Sequence, residues 1–272
     1  MYQMILSDLD ETLLVNHHVP KFNQEAIRQL KDVKFVPATG RSFSMIEDIL
    51  KEIGTANQAH EYSICFNGGL IVENQNAQIL SFQGLAFDQA KQLFDLGENY
   101  NVCIMIFTLN HCYLFKPDPT EIARKKAQKA AFTVIDDYHM DFLKNEKIAK
   151  LLYVKPDMDY LKSVEQDLPE DIKKQFSISY SSYRYLEFNP LGVSKGAALK
   201  WLADYLHIDK QNVIAIGDNY NDVSMIQEAG LGVCVAGGAQ DIQAISDYVT
   251  TVDYDQGAVK EVIEKFILKG EK

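Results

Sequence analysis

The stretch "MILSDLDETLL", residues 4–14, sets an apolar run, Met4-Ile5-Leu6, directly before Asp8, Asp10 and Glu11, with Thr12 behind them. Burying unpaired carboxylates costs free energy. A strand that delivers this much negative charge to one end therefore either finishes in a solvated turn or gathers the acids around a cation. The stretch alone leaves both readings open.

Size and composition narrow the field. The 272 residues suffice for one large domain or two modest ones, with ample core. At 47% hydrophobic and 24% charged residues, the composition is that of an ordinary globular protein. A formal net charge of −11 argues against a nucleic-acid binder, which would present a basic stripe to phosphates. The same charge means that a phosphate site would need help from a cation, a lysine or backbone amides. No apolar run approaches the ~18–20 residues that span a bilayer. Asp8 also interrupts the N-terminus before the apolar stretch of a signal peptide develops, so no membrane partner is expected. Cys65, Cys103, Cys112 and Cys234 are scattered without a C-x-x-C pair. They read as reduced structural thiols of a cytoplasmic protein, with zinc binding not expected. The sequence carries no signal for an oligomeric state.

Along the chain, strand and helix patterns alternate at first: strand Met4–Leu6, helix 23–31, strand Lys34–Ala38, helix 42–53 and strand Ser63–Phe66. This rhythm predicts a parallel sheet flanked by helices. Asn67-Gly68-Gly69 then signals a hairpin turn, and Asn74-Gln75-Asn76 a second turn leading into Gln78–Phe82. From residue 84 to 186 the pattern becomes a strand meander with a few helices, the mark of a separate α+β unit. Within it, the basic run Arg124–Lys129 reads as a solvated helix face, with attraction of an anionic substrate as the lesser reading. After Pro190 the βα alternation resumes to the end of the chain. The expected organisation is an α/β, Rossmann-like parallel-sheet core (1–83 and 187–272) with an inserted α+β cap domain (84–186). Linkers are expected near Ser81–Gly84 and Arg184–Asn189, about which the cap would open and close.

Ligands of open parallel sheets bind at the carboxyl ends of the strands, and four such places carry chemistry here. Asp8 and Asp10, two residues apart on an extended segment, can face the same way. Two carboxylates so placed repel unless a cation bridges them or one holds a proton. Thr39-Gly40-Arg41 follows a strand and precedes a helical pattern, which suits either an anion site or plain helix capping. In "NPLGVSKGAALKWL", residues 189–202, Ser194 is a candidate N-cap and Lys195 falls in the first helical turn. A cation there opposes the helix dipole unless an anion is nearby. Gly217 ends an apolar strand and is followed by Asp218, Asn219, Asn221 and Asp222, more polar residues than capping needs. An EF-hand loop is excluded by Met225 and Ile226. Acid pair, hydroxyl, lysine and acid cluster together point to a metal and a phosphate.

The set of D-L-D-x-T (Asp8–Thr12), A-T-G-R (Ala38–Arg41), P-x-G-x-S-K-G (Pro190–Gly196) and G-D-x-x-N-D (Gly217–Asp222) resembles the haloacid dehalogenase-like hydrolase superfamily, specifically its Cof-type phosphatases of subclass IIB. The resemblance implies a Mg²⁺-dependent phosphatase acting on small phosphorylated metabolites such as sugar phosphates or phosphorylated cofactors. It implies Asp8 as the nucleophile that forms an aspartyl-phosphate and Asp10 as general acid and base. It further implies Leu9, Thr39, Gly40, Lys195 and Asn221 as phosphate-binding residues. Asp8, Asp10 (through its carbonyl) and Asp218 would be metal ligands, and Asp222 would support them. Glu11 stands where the family often has glycine or aspartate, with its side chain expected to point away from the metal. The loop Val235–Gln240 also departs from the family pattern. A phosphomutase shares the same core and stays open as an alternative. A receiver-like phospho-aspartate module is disfavoured, because a general acid two residues from the nucleophile serves turnover. Asn67 reads as a structural turn residue, with a place facing the substrate as the lesser reading, since its hairpin follows a core strand.

Overall fold

A computed structural model of the chain describes residues 1–128 and 130–268. The chain divides into two compact units, Met1–Phe82 together with the chain from Ser194 onward, and Gln83–Val193.

The first segment carries β1 (Met4–Ser7), α1 (Lys21–Ile27), β2 (Lys34–Pro37), α2 (Glu47–Ile53), β3 (Tyr62–Cys65), β4 (Leu70–Glu73) and β5 (Gln78–Phe82). The inserted unit holds α3 (Phe87–Gly97), β6 (Cys103–Thr108), β7 (Cys112–Phe115), α4 (Pro119–Ala127), β8 (Phe132–Ile135), β9 (Ile148–Val154), α5 (Met158–Asp167), α6 (Glu170–Lys173), β10 (Phe176–Ser181) and β11 (Tyr185–Pro190). The last segment adds α7 (Lys195–Tyr205), β12 (Val213–Gly217), α8 (Val223–Glu228), β13 (Leu231–Cys234), α9 (Gln240–Ile245), β14 (Tyr248–Val249) and α10 (Ala258–Ile263).

In the first unit, β14-β13-β12-β1-β2 form a parallel sheet. Every residue of β1 and β12 is buried, which is why both read as unbroken apolar runs rather than alternating ones. The register pairs Ser7 with Ile216 and with Pro37, so Asp8, Thr39 and Asp218 all leave the same edge of the sheet. The third expected parallel strand differs. Strand β3 keeps the expected parallel direction where the bridge between Ala38 and Ile64 joins it to the end of β2, but its ladder belongs to a separate antiparallel sheet, β3-β4-β5. The turn between β3 and β4 also begins earlier than expected: Phe66, Asn67 and Gly68 all have positive φ. The helix expected over 42–53 is a short 3₁₀ turn, Phe43–Met45, followed by α2.

Close backbone approach fixes α7. Ser194 caps it, its hydroxyl accepting from the Ala197 amide at 3.1 Å. A Cβ on Gly196 would lie 2.3 Å from the Ser224 carbonyl oxygen, and one on Gly68 would lie 2.3 Å from that of Ser194. Glycine at 68 and 196 thus lets the hairpin turn and α8 pack directly against the first turn of α7.

The inserted unit is a six-stranded sheet, β10-β11-β9-β6-β7-β8, antiparallel except for the β7–β8 pair. Leu151, Tyr153, Leu186 and Phe188 face one apolar core with Phe94 of α3 and Leu161 of α5. Strand β8 was not foreseen, because its Phe-Thr-Val-Ile run is short and only partly buried. The strand pattern of Arg184–Phe188 is found as β11, paired with both β9 and β10, so the linker expected near Arg184–Asn189 falls inside a strand. The return to the first unit therefore comes at Ser194 rather than at residue 187. Helix α4 ends at Ala127. Its expected solvated basic face is corrected at Lys125, which is buried and lies 3.4 Å from Glu121. Lys129, part of the same run, lies outside the described residues.

Gly68→Ala combines a strained left-handed backbone with a clash at Ser194, and is expected to destabilise the protein by roughly 2–4 kcal/mol. Urea unfolding measures this directly. A change below about 0.5 kcal/mol, within ordinary surface-substitution scatter, would show that the approach to α7 is slack.

Candidate active site

Asp8 is the first residue beyond β1, and its amide donates to the Ile216 carbonyl at 2.9 Å, anchoring it between β1 and β12. From the start of α7, the Lys195 ammonium reaches the Asp8 carboxylate at 2.5 Å and the Asp222 carboxylate at 2.6 Å. Lys195 is fully buried, as is Asp222, and Asp8 nearly so. Asp218 follows β12, and its carboxylate accepts from the Thr12 hydroxyl at 2.8 Å.

Asp222 is used at both oxygens. One takes Lys195, and the other accepts the amides of Asp218 at 3.0 Å and Asn219 at 3.1 Å. Its place is thus to pin the acidic loop and the lysine. The carboxylates of Asp8, Asp218 and Asp222 each offer an oxygen within 4.8 Å of the others, all in buried positions. Three acids against one ammonium leave an excess of negative charge in a poorly solvated place. Burial, then the neighbouring Asp222 and Asp8, push the Asp218 pKa up to about 9, despite Thr12 and Lys195. Burial likewise raises Asp8 to about 7, against the pull of Lys195. Burial tends to lower the Lys195 pKa, but Asp222 and Asp8 outweigh it and hold the ammonium charged. This hard, all-oxygen donor set is suited to a divalent cation such as magnesium.

Asp10 has a different setting. Its side chain is about half exposed (49%), and Arg41 clasps it with both arms, Nε donating to Oδ2 at 2.9 Å and Nη2 donating to Oδ1. Arg41 stands in the A-T-G-R motif, but its hold on Asp10 was not foreseen; an ion pair across 31 residues leaves no local signature. Thr12 was missed in the same way, quoted within its motif but with no sign that it holds Asp218.

Thr39 is buried, and its hydroxyl accepts from the Arg41 amide at 3.2 Å, leaving the hydroxyl proton to donate elsewhere. The loop it starts runs into a 3₁₀ turn rather than a helix N-terminus, so an anion here would meet loop amides and a hydroxyl. The hairpin turn holds this loop: the Asn67 amide donates to Thr39 O at 2.9 Å, and the Phe66 amide to Arg41 O at 3.0 Å. Asn67 also accepts from the Asn221 side chain at 3.3 Å, and a Cβ on Gly40 would sit 3.1 Å from its Oδ1. Asn67 thus bridges two of the strand-end loops, more than a turn residue needs to do. Leu9 is buried, and its carbonyl accepts from Leu13 and Leu14. Glu11 is exposed with φ 60, a backbone region that favours glycine. In the divergent loop, Ala239 donates to the Asp218 carbonyl at 3.1 Å.

The sequence profile of the haloacid dehalogenase-like hydrolases matches residues 5–263, and the chain belongs to that family. Hydrolases of this family generally work with a divalent metal ion, and the buried triad of Asp8, Asp218 and Asp222 is suited to one. The chain is 28% identical over 264 residues to the Bacillus subtilis 5-amino-6-(5-phospho-D-ribitylamino)uracil phosphatase YcsE, covering 96% of this chain and 94% of that protein. A haloacid dehalogenase-like hydrolase from Bacteroides thetaiotaomicron superposes with a TM-score of 0.84 at 26% identity, covering 97% of this chain and 99% of that one. The subclass IIB sugar phosphatase BT4131 shares the fold with a TM-score of 0.82 at 18% identity, over 97% of this chain and 98% of that one. Among the described residues, no helix is long and apolar enough to cross a membrane.

Both carboxyl shifts are upward, so between about pH 4 and pH 9 the metal-free native state holds protons that the unfolded chain has released. Stability should therefore fall as pH rises through about 7 and then about 9. Calorimetry in EDTA is expected to show a steeper loss of Tm between about pH 6 and about pH 9 for the wild type than for Asp218→Asn. Equal slopes would mean that Asp218 is not held protonated by its neighbours.

Proposed function

We propose that the chain is a Mg²⁺-dependent phosphatase that hydrolyses small phosphomonoesters through an aspartyl-phosphate on Asp8. The observation that carries this reading is the convergence of Asp8, Lys195, Asp218 and Asp222 in a buried cluster at one sheet edge. Asp10, two residues from Asp8, stands in a separate, solvated setting.

Asp8 is the nucleophile. Its carboxylate oxygen attacks phosphorus, the ester P–O bond breaks, and the departing alkoxide takes a proton from Asp10. A water then attacks the aspartyl-phosphate and gives its proton back to Asp10, releasing inorganic phosphate and restoring Asp8. Lys195, the hydroxyl of Thr39, the amides of Leu9 and Gly40 and the side chain of Asn221 hold the phosphoryl oxygens, whose charge must be met locally in so acidic a chain. Arg41 aims the Asp10 carboxyl group and keeps it from turning into solvent. The Asp8 and Asp218 carboxylates and the Asp10 carbonyl hold magnesium, whose positive charge offsets the repulsion between the phosphate dianion and its carboxylate nucleophile. Thr12 and Asp222 keep Asp218 and Lys195 in place. The substrate is a small phosphorylated metabolite, a sugar phosphate or phosphorylated cofactor. Four free, buried cysteines support a reducing, cytoplasmic setting.

Phosphate release from p-nitrophenyl phosphate should require Mg²⁺ and fall by at least about 10³-fold in Asp8→Asn. Stoichiometric, stable phosphorylation without turnover would hand the site to phospho-aspartate signalling, and isomerisation of a sugar phosphate with little free phosphate would make it a mutase. Arg41→Ala tests the aiming of Asp10. It should cost roughly 10²-fold in kcat on an alkyl phosphate, whose leaving group needs a proton, and much less on p-nitrophenyl phosphate, whose leaving group does not. Equal losses on both would remove Arg41 from acid catalysis.

A further inference from the structure

The second face of the inserted sheet is built unlike the first. Along β11, Leu186 and Phe188 enter the apolar core, so Tyr185 and Glu187 alternate to the opposite face. Lys150 of β9 shares that face and meets Glu187 at 2.5 Å. Helix α4 lies over the same face and contributes Glu121, Arg124 and Lys125. The Tyr185 hydroxyl donates to Glu121 at 2.6 Å. Glu121 also lies 3.4 Å from Lys125 and 3.2 Å from Arg184. Glu121, Lys125, Lys150 and Glu187 are all buried.

Among the described residues, four cations, Arg124, Lys125, Lys150 and Arg184, gather around Glu121 and Glu187, with Asp118 acting on Arg184 from the start of α4, so cations outnumber carboxylates inside a chain whose net charge is −11. The cations converge on two rings. Arg124, Lys125 and Arg184 lie 5.9, 5.5 and 6.0 Å from the Tyr185 centroid. Lys125 and Lys150 lie 5.5 and 5.6 Å from that of Phe107. Cation–π contacts lessen the cost of gathering like charges but do not neutralise them. Burial pushes the Lys125 pKa down even with Glu121 alongside, the sign of a desolvated cation that its carboxylate does not fully compensate. Arg124 is the least used of the four. Of its five N–H donors, Nη2 makes one long bond to Ser182 at 3.4 Å, and the buried Nε has no hydrogen-bond partner.

We propose that this face of the inserted unit is an anion-binding subsite, in which Arg124, Lys125, Arg184 and Lys150 take a carboxylate or phosphate group. The anion is a separate molecule rather than part of the phosphoester, so the site stands apart from the phosphatase reading.

The test titrates succinate calorimetrically into the Mg²⁺-loaded enzyme saturated with vanadate, which keeps the anion out of the phosphoryl site. Binding that Arg124→Gln weakens roughly tenfold or more and Arg124→Lys retains is the expected result. Absence of binding, or binding equal in wild type and Arg124→Gln, would overturn the proposal. Turnover of p-nitrophenyl phosphate by the wild type judges the phosphatase reading separately.

Discussion

The Lys195 ammonium between Asp8 and Asp222 is the contact on which the rest of the first unit depends. It joins residues 187 positions apart in sequence, and so ties the start of the chain to its last third. A fully buried lysine is tolerable only when paired and hydrogen-bonded, and everything around it serves that end. Ser194 caps the helix that carries it, Gly68 and Gly196 let neighbouring backbone close in, and Asp222 is held by two amides of its own loop. Removing the ammonium would leave three buried acids with no internal counter-charge, a cost far larger than that of a surface ion pair.

Two aspartates separated by one residue end up chemically unlike because their surroundings are unlike. Asp8 is buried against a lysine and two other acids, which makes its charge state sensitive to any cation that arrives. Asp10 is half-exposed and gripped by a guanidinium, which fixes its direction while leaving it open to water. In the proposed mechanism, such a division would let one strand end supply both a nucleophile and a proton carrier. The division comes from the elements behind the motif, α7 in one case and the loop after β2 in the other, and not from the motif itself.

Much of this was legible in the sequence, and the losses have physical reasons. The strands β1, β2 and β12 announced themselves as apolar runs, and the residues beyond them were recognisable as a set because each follows such a run. Sheet membership was less legible: β3 has the same apolar character as a parallel core strand, but pairs with β4 through a tight turn. The end of the insertion was misplaced because Tyr185–Pro190 is as strand-like as the core and sits just before the core resumes. Lys125 was misjudged because a lysine run on a helix is solvated in most contexts, and only an acidic partner one turn back, Glu121, reveals that the helix turns its charged side inward. The partners of Arg41 and Thr12, and the bridge from Asn67 to Asn221, escaped because they lie 31, 206 and 154 residues away.

The two units thus share a principle expressed with opposite signs. Apolar cores account for their folding, but each also gathers charges that its own residues do not balance. In the first unit three acids surround one lysine, and the surplus is negative. Among the described residues of the inserted unit, four cations meet three acids, Glu121, Glu187 and Asp118, and the surplus is positive. Buried charge left unbalanced lowers stability, so a fold that keeps it gains something from the ligand that restores neutrality. A divalent cation suits the first surplus and a small anion the second, so each unit is stabilised by a ligand carrying the sign that it lacks, and a neutral ligand would serve neither.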